Sequence, residues 1–557
     1  MHVLLFTVKN HKSKNLPTPR IHSRASEAAV KADRLRGLLE NLQAHGDFPH
    51  ALGSFQLLET HISYVLQTGE YAYKFKKPVN LGFLDFSTLE KRRFYCHEEL
   101  RLNRRLAPQL YLDVVAIYGS QQHPAFEGMG SPIEYAVKMR QFPDRDRLDR
   151  VAERGELTGD HIDELAHRVA AFHRQLPGAK LDSLYGTPGR IGDRMLQNFQ
   201  QIDANLVPAI DLPLTRTLEE WTRRALRDYQ DDLEIRRQQG CIRECHGDMH
   251  LANMVMLDGC VTLFDCLEFA EDLRWIDTLN EIAFLIMDLD YRGLPELARR
   301  FLDRYLEATS DYLGLTLLAP YLVYRAMVRA KVAAISLYQH RDDARQSEQF
   351  ASSFTEHLRL AQEYTQRPRQ APIVITHGLS GSGKSHIVEQ LVEAMGGIRV
   401  RSDVERKRLL GAHLPAARGE VEKGAYTPEI TRRTYERLLA LAYAIADAGY
   451  PVLVDATFLQ ASQRMSFIRL ARTARLPLVI LDVHASDTTL RARISERARQ
   501  QNDPSEATLE VLDHQIRAQE PLTSDEVALA IRIDSESSLD IQRVAAKILS
   551  REALGSS

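Results

Sequence analysis

The sequence predicts a mixed chain, α+β then α/β: a bilobal unit with a β-rich lobe and a helical lobe, followed by an open parallel sheet. Three observations predict it. Ser54 to Met139 holds short β-rich runs around one charged helix, and helical spacing takes over from Phe142 to about Thr365. After residue 371, short apolar runs alternate with helical segments, the pattern of parallel strands joined by right-handed crossovers. Between the two lies Gln366-Arg-Pro-Arg-Gln-Ala-Pro372, composed like a junction. The expected boundaries are an extension over 1–28, a first domain over 29–345, a linker over 346–370 and a second domain over 371–557.

At 557 residues the chain exceeds what one core serves. Hydrophobic residues at 44% and charged residues at 26% are those of an ordinary globular protein. A net charge of −3 argues against a general nucleic-acid or membrane-surface binder, while leaving room for a local basic groove. Five cysteines, few and odd in number, fit a reducing, cytoplasmic setting better than a disulfide framework. Cys241, Cys245, Cys260 and Cys266, with His246 and His250, can be drawn as a zinc site. Their spacing matches no zinc knuckle, so buried thiols flanking a catalytic loop are expected instead. No apolar run reaches membrane-spanning length; Leu313 to Tyr338 is broken by Arg325, Arg329 and Lys331 and reads as a core helix. The first 25 residues carry Lys9, Lys12, Lys14, Arg20 and Arg24 and no acid, a composition expected of a disordered extension.

In chain order, Ser26–Leu42 has helical spacing. Ser54 to Val79 reads as strands, with a hairpin turn at Thr68-Gly-Glu. Ser87 to Leu106 reads as a helix capped by Ser87 or Thr88 and stopped near Pro108, followed by strands at Leu112–Tyr118 and Ile133–Met139. Helices are expected over Asp160–Gln175, Gly192–Ile202, Leu214–Gln239 and Asp277 to about Thr365, with a loop and strand pair between Cys241 and Phe269. Strands of the second domain are expected at Ile373–Thr376, Ile398–Arg401, Pro451–Val454, Leu478–Val483 and Ala528–Ile533.

Two stretches carry chemistry. Gly378-Leu-Ser380-Gly381-Ser382-Gly383-Lys384-Ser385 fits the G-x-x-x-x-G-K-[ST] phosphate loop, between a strand and a helix start. Its glycines let backbone N–H groups turn inward, and the helix N-terminus adds its positive end. Lys384 is expected to hold phosphates and Ser385 to ligate Mg²⁺. This predicts nucleoside triphosphate binding. The other stretch is Cys245-His246-Gly-Asp248-Met-His250-Leu-Ala-Asn253. An Asp followed five positions later by an Asn serves phosphoryl transfer: Asp248 accepts the acceptor's proton and Asn253 reaches Mg²⁺, with Asp265 as second metal ligand.

This loop with its strand-terminal Asp resembles the aminoglycoside phosphotransferase family, a branch of the protein-kinase-like fold, over about residues 30 to 345. The resemblance implies that Lys74, in Tyr-Ala-Tyr-Lys74-Phe, contacts the α/β-phosphates, that Glu99 is its ion-pair partner, and that Glu134 to Phe142 is the hinge meeting adenine. Lys76 is an equally placed alternative, and no glycine-rich loop precedes either lysine. Glu268, Asp272, Asp277 and Glu281 make no dense polycation pocket and read mostly as caps or solvated faces, so antibiotic acceptors are not implied.

In the second domain Asp455 ends a strand as the Mg²⁺-side carboxylate, and Ala456 stands where a hydrolysing motor places Glu. Asp403 is placed to take a proton from an acceptor hydroxyl and Arg406 to hold an acceptor phosphate or the transferring group. Arg493 and Arg497 share a helix face and are candidates to close over the γ-phosphate, against a solvated basic face. This set resembles P-loop kinases related to zeta toxins and polynucleotide 5′-kinases, over about 371 to 525. The order of the two domains resembles bacterial proteins joining the two modules. The expected function is a bifunctional phosphotransferase using ATP and Mg²⁺ on hydroxyl acceptors. The alternatives are an active second domain on a scaffold, with a nucleic-acid 5′-hydroxyl or nucleotide-sugar acceptor, and an ATP-responsive regulator or toxin–antitoxin component. Acceptor specificity is expected in helices over 150–240 and in the insert Gly411–Thr427.

Overall fold

The computed structural model describes residues 21–81, 84–202, 211–366, 371–411, 427–500 and 508–553. The chain forms two compact units, one of Met1–Glu164, Ala171–Arg292 and Leu317–Thr365, the other of Leu165–Ala170, Gly293–Thr316 and Gln366–Ser557.

The small lobe of the first unit is an antiparallel sheet. Its strands are β1 (Gln56–Glu59), β2 (Ser63–Gln67), β3 (Tyr71–Lys76), β4 (Tyr111–Gly119), β5 (Pro124–Ala125) and β6 (Glu134–Arg140), ordered β1-β2-β3-β6-β4-β5. The helix Ile21–His45 begins within the expected extension; residues 1–20 lie outside the described ones. It buries Leu35, Leu38, Leu39 and Leu42, a 3.6-period stripe, against Tyr64, Leu66, Tyr73 and Phe75 of the sheet. Thr88 caps the helix Leu89–Asn103 by accepting the Lys91 N–H, which turns Cys96 and Glu99 inward.

The helical lobe is organised around Thr278–Tyr291, buried without a break from Thr278 to Leu289. The core helix Leu318–Gln339 packs against it, with Arg325 and Lys331 buried. The linker expected at 346–370 is instead mostly the helix Ala344–Thr365, because Phe354, His357, Leu358, Ala361 and Tyr364 give it a buried face in the first unit. The helix expected at Leu214–Gln239 is two, Leu212–Asp228 and Gln230–Gln238, parted at Tyr229. The catalytic-loop region contributes β7 (Ile242–Glu244), β8 (Met254–Leu257), β9 (Cys260–Leu263) and β10 (Trp275–Asp277).

Lys331 is fully buried and meets no carboxylate among the described residues; its Nζ donates to Asn198 Oδ1 at 2.8 Å. Burial, reinforced by Arg194, pulls its pKa down to about 7 from 10.5. Between those values the unfolded chain binds one proton more than the folded chain. Stability therefore rises with pH through this window, by ~1.4 kcal/mol per unit from this residue. Lys331→Met is expected to raise the melting temperature at pH 7.5 and flatten its rise toward pH 10. A lower melting temperature throughout would contradict the assignment.

The second unit is a parallel sheet of β11 (Ile373–His377), β12 (Ile398–Arg401), β13 (Val452–Asp455), β14 (Leu478–His484) and β15 (Ala530–Asp534), ordered β12-β13-β11-β14-β15. Val374, Leu453, Val479 and Leu481 pack its core against Ile387, Val388 and Leu391 of the helix Lys384–Met395. Residues 293–316, which the sequence places in the first domain, belong to this unit. The reason is a set of polar ties: Arg299 Nη1 donates to the Glu393 carbonyl at 2.7 Å, Arg300 pairs with Glu393 at 2.6 Å, and buried Asp303 accepts the Arg399 N–H at 2.7 Å. No helix among the described residues is long and apolar enough to cross a membrane.

Candidate active sites

In the first unit β7 runs into Cys245–Asn253, and the antiparallel β8–β9 hairpin returns the chain to Asp265. Gly247 has φ +88°, and a Cβ there would stand 2.9 Å from the Leu273 carbonyl, so only glycine lets the loop lie this close. The loop is held from beneath. Glu281 accepts the N–H groups of His246 (2.5 Å) and Gly247 (2.7 Å), Asp288 accepts that of Leu251 (2.9 Å), and Arg325 donates to the Gly247 carbonyl (3.3 Å). His246 Nε2 lies 2.9 Å from the Phe264 carbonyl, tying the loop to the approach to Asp265.

Asn253 Nδ2 donates to Asp248 Oδ2 at 2.9 Å and to the Asp248 carbonyl at 3.0 Å. Asp248 Oδ1 and Asn253 Oδ1 are buried and accept no hydrogen bond. A buried oxygen left unsatisfied costs roughly 1–3 kcal/mol, so two together mark a place built for a proton donor or a cation. Burial pushes the Asp248 pKa up, but the charge of His250, whose Nε2 lies 3.4 Å away, outweighs it and holds the carboxyl well below its usual value. Burial lowers the His250 pKa.

Lys74 and Lys76, left open by the sequence, divide one network. Lys74 Nζ lies 2.7 Å from Glu99 and 2.5 Å from Asp265, whereas Lys76 Nζ lies 2.7 Å from the other Glu99 oxygen and bonds Glu268. Of the two, Lys74 is the one in contact with Asp265, whereas Lys76 is fully buried between Glu99 and Glu268. Burial opposes all these charges; at Glu99 the lysines prevail and hold the pKa low, whereas at Glu268 burial prevails and raises it. Lys76→Met strands the buried carboxylate of Glu268 and leaves Glu99 with Lys74 alone, and is expected to cost about 3–5 kcal/mol in denaturant unfolding. A loss below about 1 kcal/mol would mean the pair balances out. Asp265 has φ +64°, unusual for an aspartate, and its N–H donates to the Tyr111 hydroxyl at 3.1 Å.

Glu268 and Glu281 are fully buried rather than solvated or capping, though Asp277 does cap a helix by accepting the Leu279 N–H. Glu134 of the expected hinge is tied to Arg92 at 2.8 Å. Of the four thiols expected to lie buried beside the loop, Cys245 and Cys266 do, with burial pushing Cys266 up to about 12, whereas Cys241 is half-buried and Cys260 exposed. The groups that do gather are His173, Cys245 and Glu281, within 4.8 Å, and Glu281 is already engaged by two loop amides. The sequence reading missed Asp288, and it named Glu281 and Lys76 without the buried contacts they make. One signal was available: acids inside an otherwise apolar helix such as Thr278–Leu289 must be buried and paired.

In the second unit the ends of β11, β12 and β13 open on a cavity of about 600 Å³. Ser380, Gly381, Lys384, Ser385, Asp403, Arg406 and Asp455 all line it. Gly378 has φ +142°, and a Cβ there would fall 2.4 Å from the Val483 carbonyl. Lys384 Nζ donates to the Leu379 carbonyl at 2.7 Å, and the Ser380 N–H donates to Gln515 Oε1 at 2.9 Å. Asp403 follows β12 on the helix Ser402–Leu410 and pairs with Arg406 at 2.8 Å; β13 separates β12 from β11. Arg493 does not line the cavity: it braces the loop from outside, donating to the Gly381 carbonyl at 3.2 Å and Ser535 Oγ at 2.9 Å. The Arg497 side chain and residues 412–426 of the specificity insert lie outside the described residues. Gly383, with φ +91°, and Ser382, whose N–H donates to Leu379 O at 3.2 Å, complete the loop.

Residues 84–318 match the model of the phosphotransferase enzyme family, and residues 373–522 match that of an AAA domain. The two-module resemblance is thereby borne out, and the chain is a kinase. An uncharacterized protein of Mycobacterium tuberculosis is 28% identical over 454 residues, covering 81% of this chain and 88% of that protein; one of Mycobacterium bovis gives the same figures. Among solved structures, an amicoumacin kinase in complex with AMP-PNP and Ca²⁺ has 14% identity over 60% of this chain and 96% of its own, with TM-score 0.39. A gluconokinase from Sinorhizobium meliloti has 18% identity over 33% of this chain and 92% of its own, with TM-score 0.23.

Proposed function

We propose that the chain is a bifunctional ATP-dependent kinase, with a separate phosphoryl-transfer site in each unit. One observation supports the reading: each unit holds a lysine, a set of oxygen ligands and an aspartate of the kinds that phosphate, metal and acceptor hydroxyl require. In the first these are Lys74, Asn253 with Asp265, and Asp248; in the second they are Lys384, Ser385 with Asp455, and Asp403. Kinases of these families use ATP, and Mg²⁺ would neutralise charge developing on the transferring phosphoryl group. The unpaired Asn253 Oδ1 fits such an ion. At each site the acceptor hydroxyl loses its proton to the aspartate and its oxygen bonds to the γ-phosphorus. The bond from that phosphorus to the bridging oxygen breaks, and ADP leaves.

The test is transfer from γ-labelled ATP to a mixture of hydroxyl metabolites by the full chain and by Asp248→Asn and Lys384→Ala. The expected result is that each variant loses a different labelled product. If Lys384→Ala removes all transfer and Asp248→Asn none, the first unit is a scaffold.

A further inference from the structure

The cavity of the second unit also records what kind of acceptor it takes. This step rests on the two-kinase reading. Lys384, Ser385 and Asp455 are assigned to the donor side; the rest of the wall is formed by the helices Ser402–Leu410, Pro428–Asp447, Ala461–Ala474 and Leu509–Ala518, the last bringing His514 and Gln515. Three arginines reach that wall, and each is matched by acids. Arg406 pairs with Asp403 at 2.8 Å, Arg432 with Glu429 at 2.7 Å and Glu436 at 2.6 Å, and Arg401 with Glu307 at 3.6 Å. A phosphate monoester or carboxylate is held best by a guanidinium whose fork it can occupy, and a nucleic acid by a row of cations. Among the described residues the wall offers neither.

What it offers is a set of neutral hydrogen-bonding groups, Thr431, Tyr435, Gln460, Gln463 and Ser466, with Phe467 as an apolar face. Hydroxyls and amides can each donate and accept, which suits a ligand carrying several hydroxyls. An aromatic face suits the C–H side of a compact ring or carbon chain. We infer that the second site phosphorylates an uncharged polyhydroxyl compound, of the size of a monosaccharide or alditol, rather than a phosphorylated metabolite or a nucleic-acid end.

The test offers γ-labelled ATP with three acceptor pools: neutral aldoses, alditols and inositol; hexose 6-phosphates; and a 5′-hydroxyl oligonucleotide. Only label that disappears in Lys384→Ala is counted. The expected result is label in the neutral pool alone, with Ser466→Ala raising KM for that acceptor about 5-fold or more, the size of one lost hydrogen bond, while KM for ATP holds. Label in either anionic pool, or none in the neutral pool, overturns the inference. The two failures separate: an anionic Lys384-dependent product leaves the two-kinase reading standing, and no Lys384-dependent product in any pool ends both.

Discussion

Asp248→Asn is expected to lower turnover at the first site by roughly 10²–10⁴-fold, the range for removing a positioned general base. The substitution is nearly isosteric. Its side-chain oxygen can still accept from Asn253 Nδ2, now at 2.9 Å, so the loop retains its main internal bond. What changes is the oxygen that accepts nothing in the folded chain, which becomes an amide donor or loses its charge. The effect should fall on kcat, with KM for ATP nearly unchanged, because Lys74, the lysine proposed for the phosphates, contacts Glu99 and Asp265 rather than Asp248. Thermal unfolding should move little, since Glu281 and Asp288 hold the loop through its backbone. The depressed pKa has its own consequence: Asp248 stays ionised through the neutral range and contributes no acidic limb to the rate between pH 5 and 8. Its contribution to stability, present above the ordinary carboxylate pKa, is lost only as pH falls toward its lowered value. A kcat within 10-fold of the parent would remove Asp248 from the chemistry.

Both folds were legible because their periodicities are uncontested. Five short apolar strands alternating with helices leave few alternatives to a parallel sheet, and all five strands occur within about two residues of the expected positions. Loop chemistry was equally legible: Gly247 and Gly378 stand where a side chain would strike a carbonyl, and only glycine satisfies that. Sequence reasoning failed where function depends on what a side chain meets across the fold. Polar composition suggested a linker at 346–370, yet four spaced apolar residues together with His357 were enough to dock a helix there. Lys74 and Lys76 are two apart on one strand and so share a face; only the positions of Asp265 and Glu268 distinguish them. Arg493, whose spacing to Arg497 made the pair candidates to close over the γ-phosphate, donates to the Gly381 carbonyl and to Ser535, contacts that spacing alone does not give.

Lys384→Ala is expected to reduce the second product by roughly 10²–10³-fold, the scale for losing one preorganised charge donor at a developing anion. Lys384 is largely buried, and its ammonium already rests on the phosphate loop, 2.7 Å from the Leu379 carbonyl and 3.4 Å from Ser382 Oγ. Its ordered contact with the loop means that little side-chain freedom remains to be lost when phosphate binds, so its charge is effective in the transition state. The loop itself should survive the truncation. Gly378 and Gly383 set its path, Arg493 braces its Gly381 carbonyl, and Gln515 takes the Ser380 N–H, none of which involves the Lys384 side chain. Circular dichroism should therefore be unchanged while transfer falls, and the first product should form at its parental rate. Loss of that product as well would require the second site to supply the acceptor of the first, which an exogenous supply of the second product would restore. If neither product falls, the glycine loop binds its triphosphate without turning it over, and the second unit is a nucleotide sensor beside a working kinase.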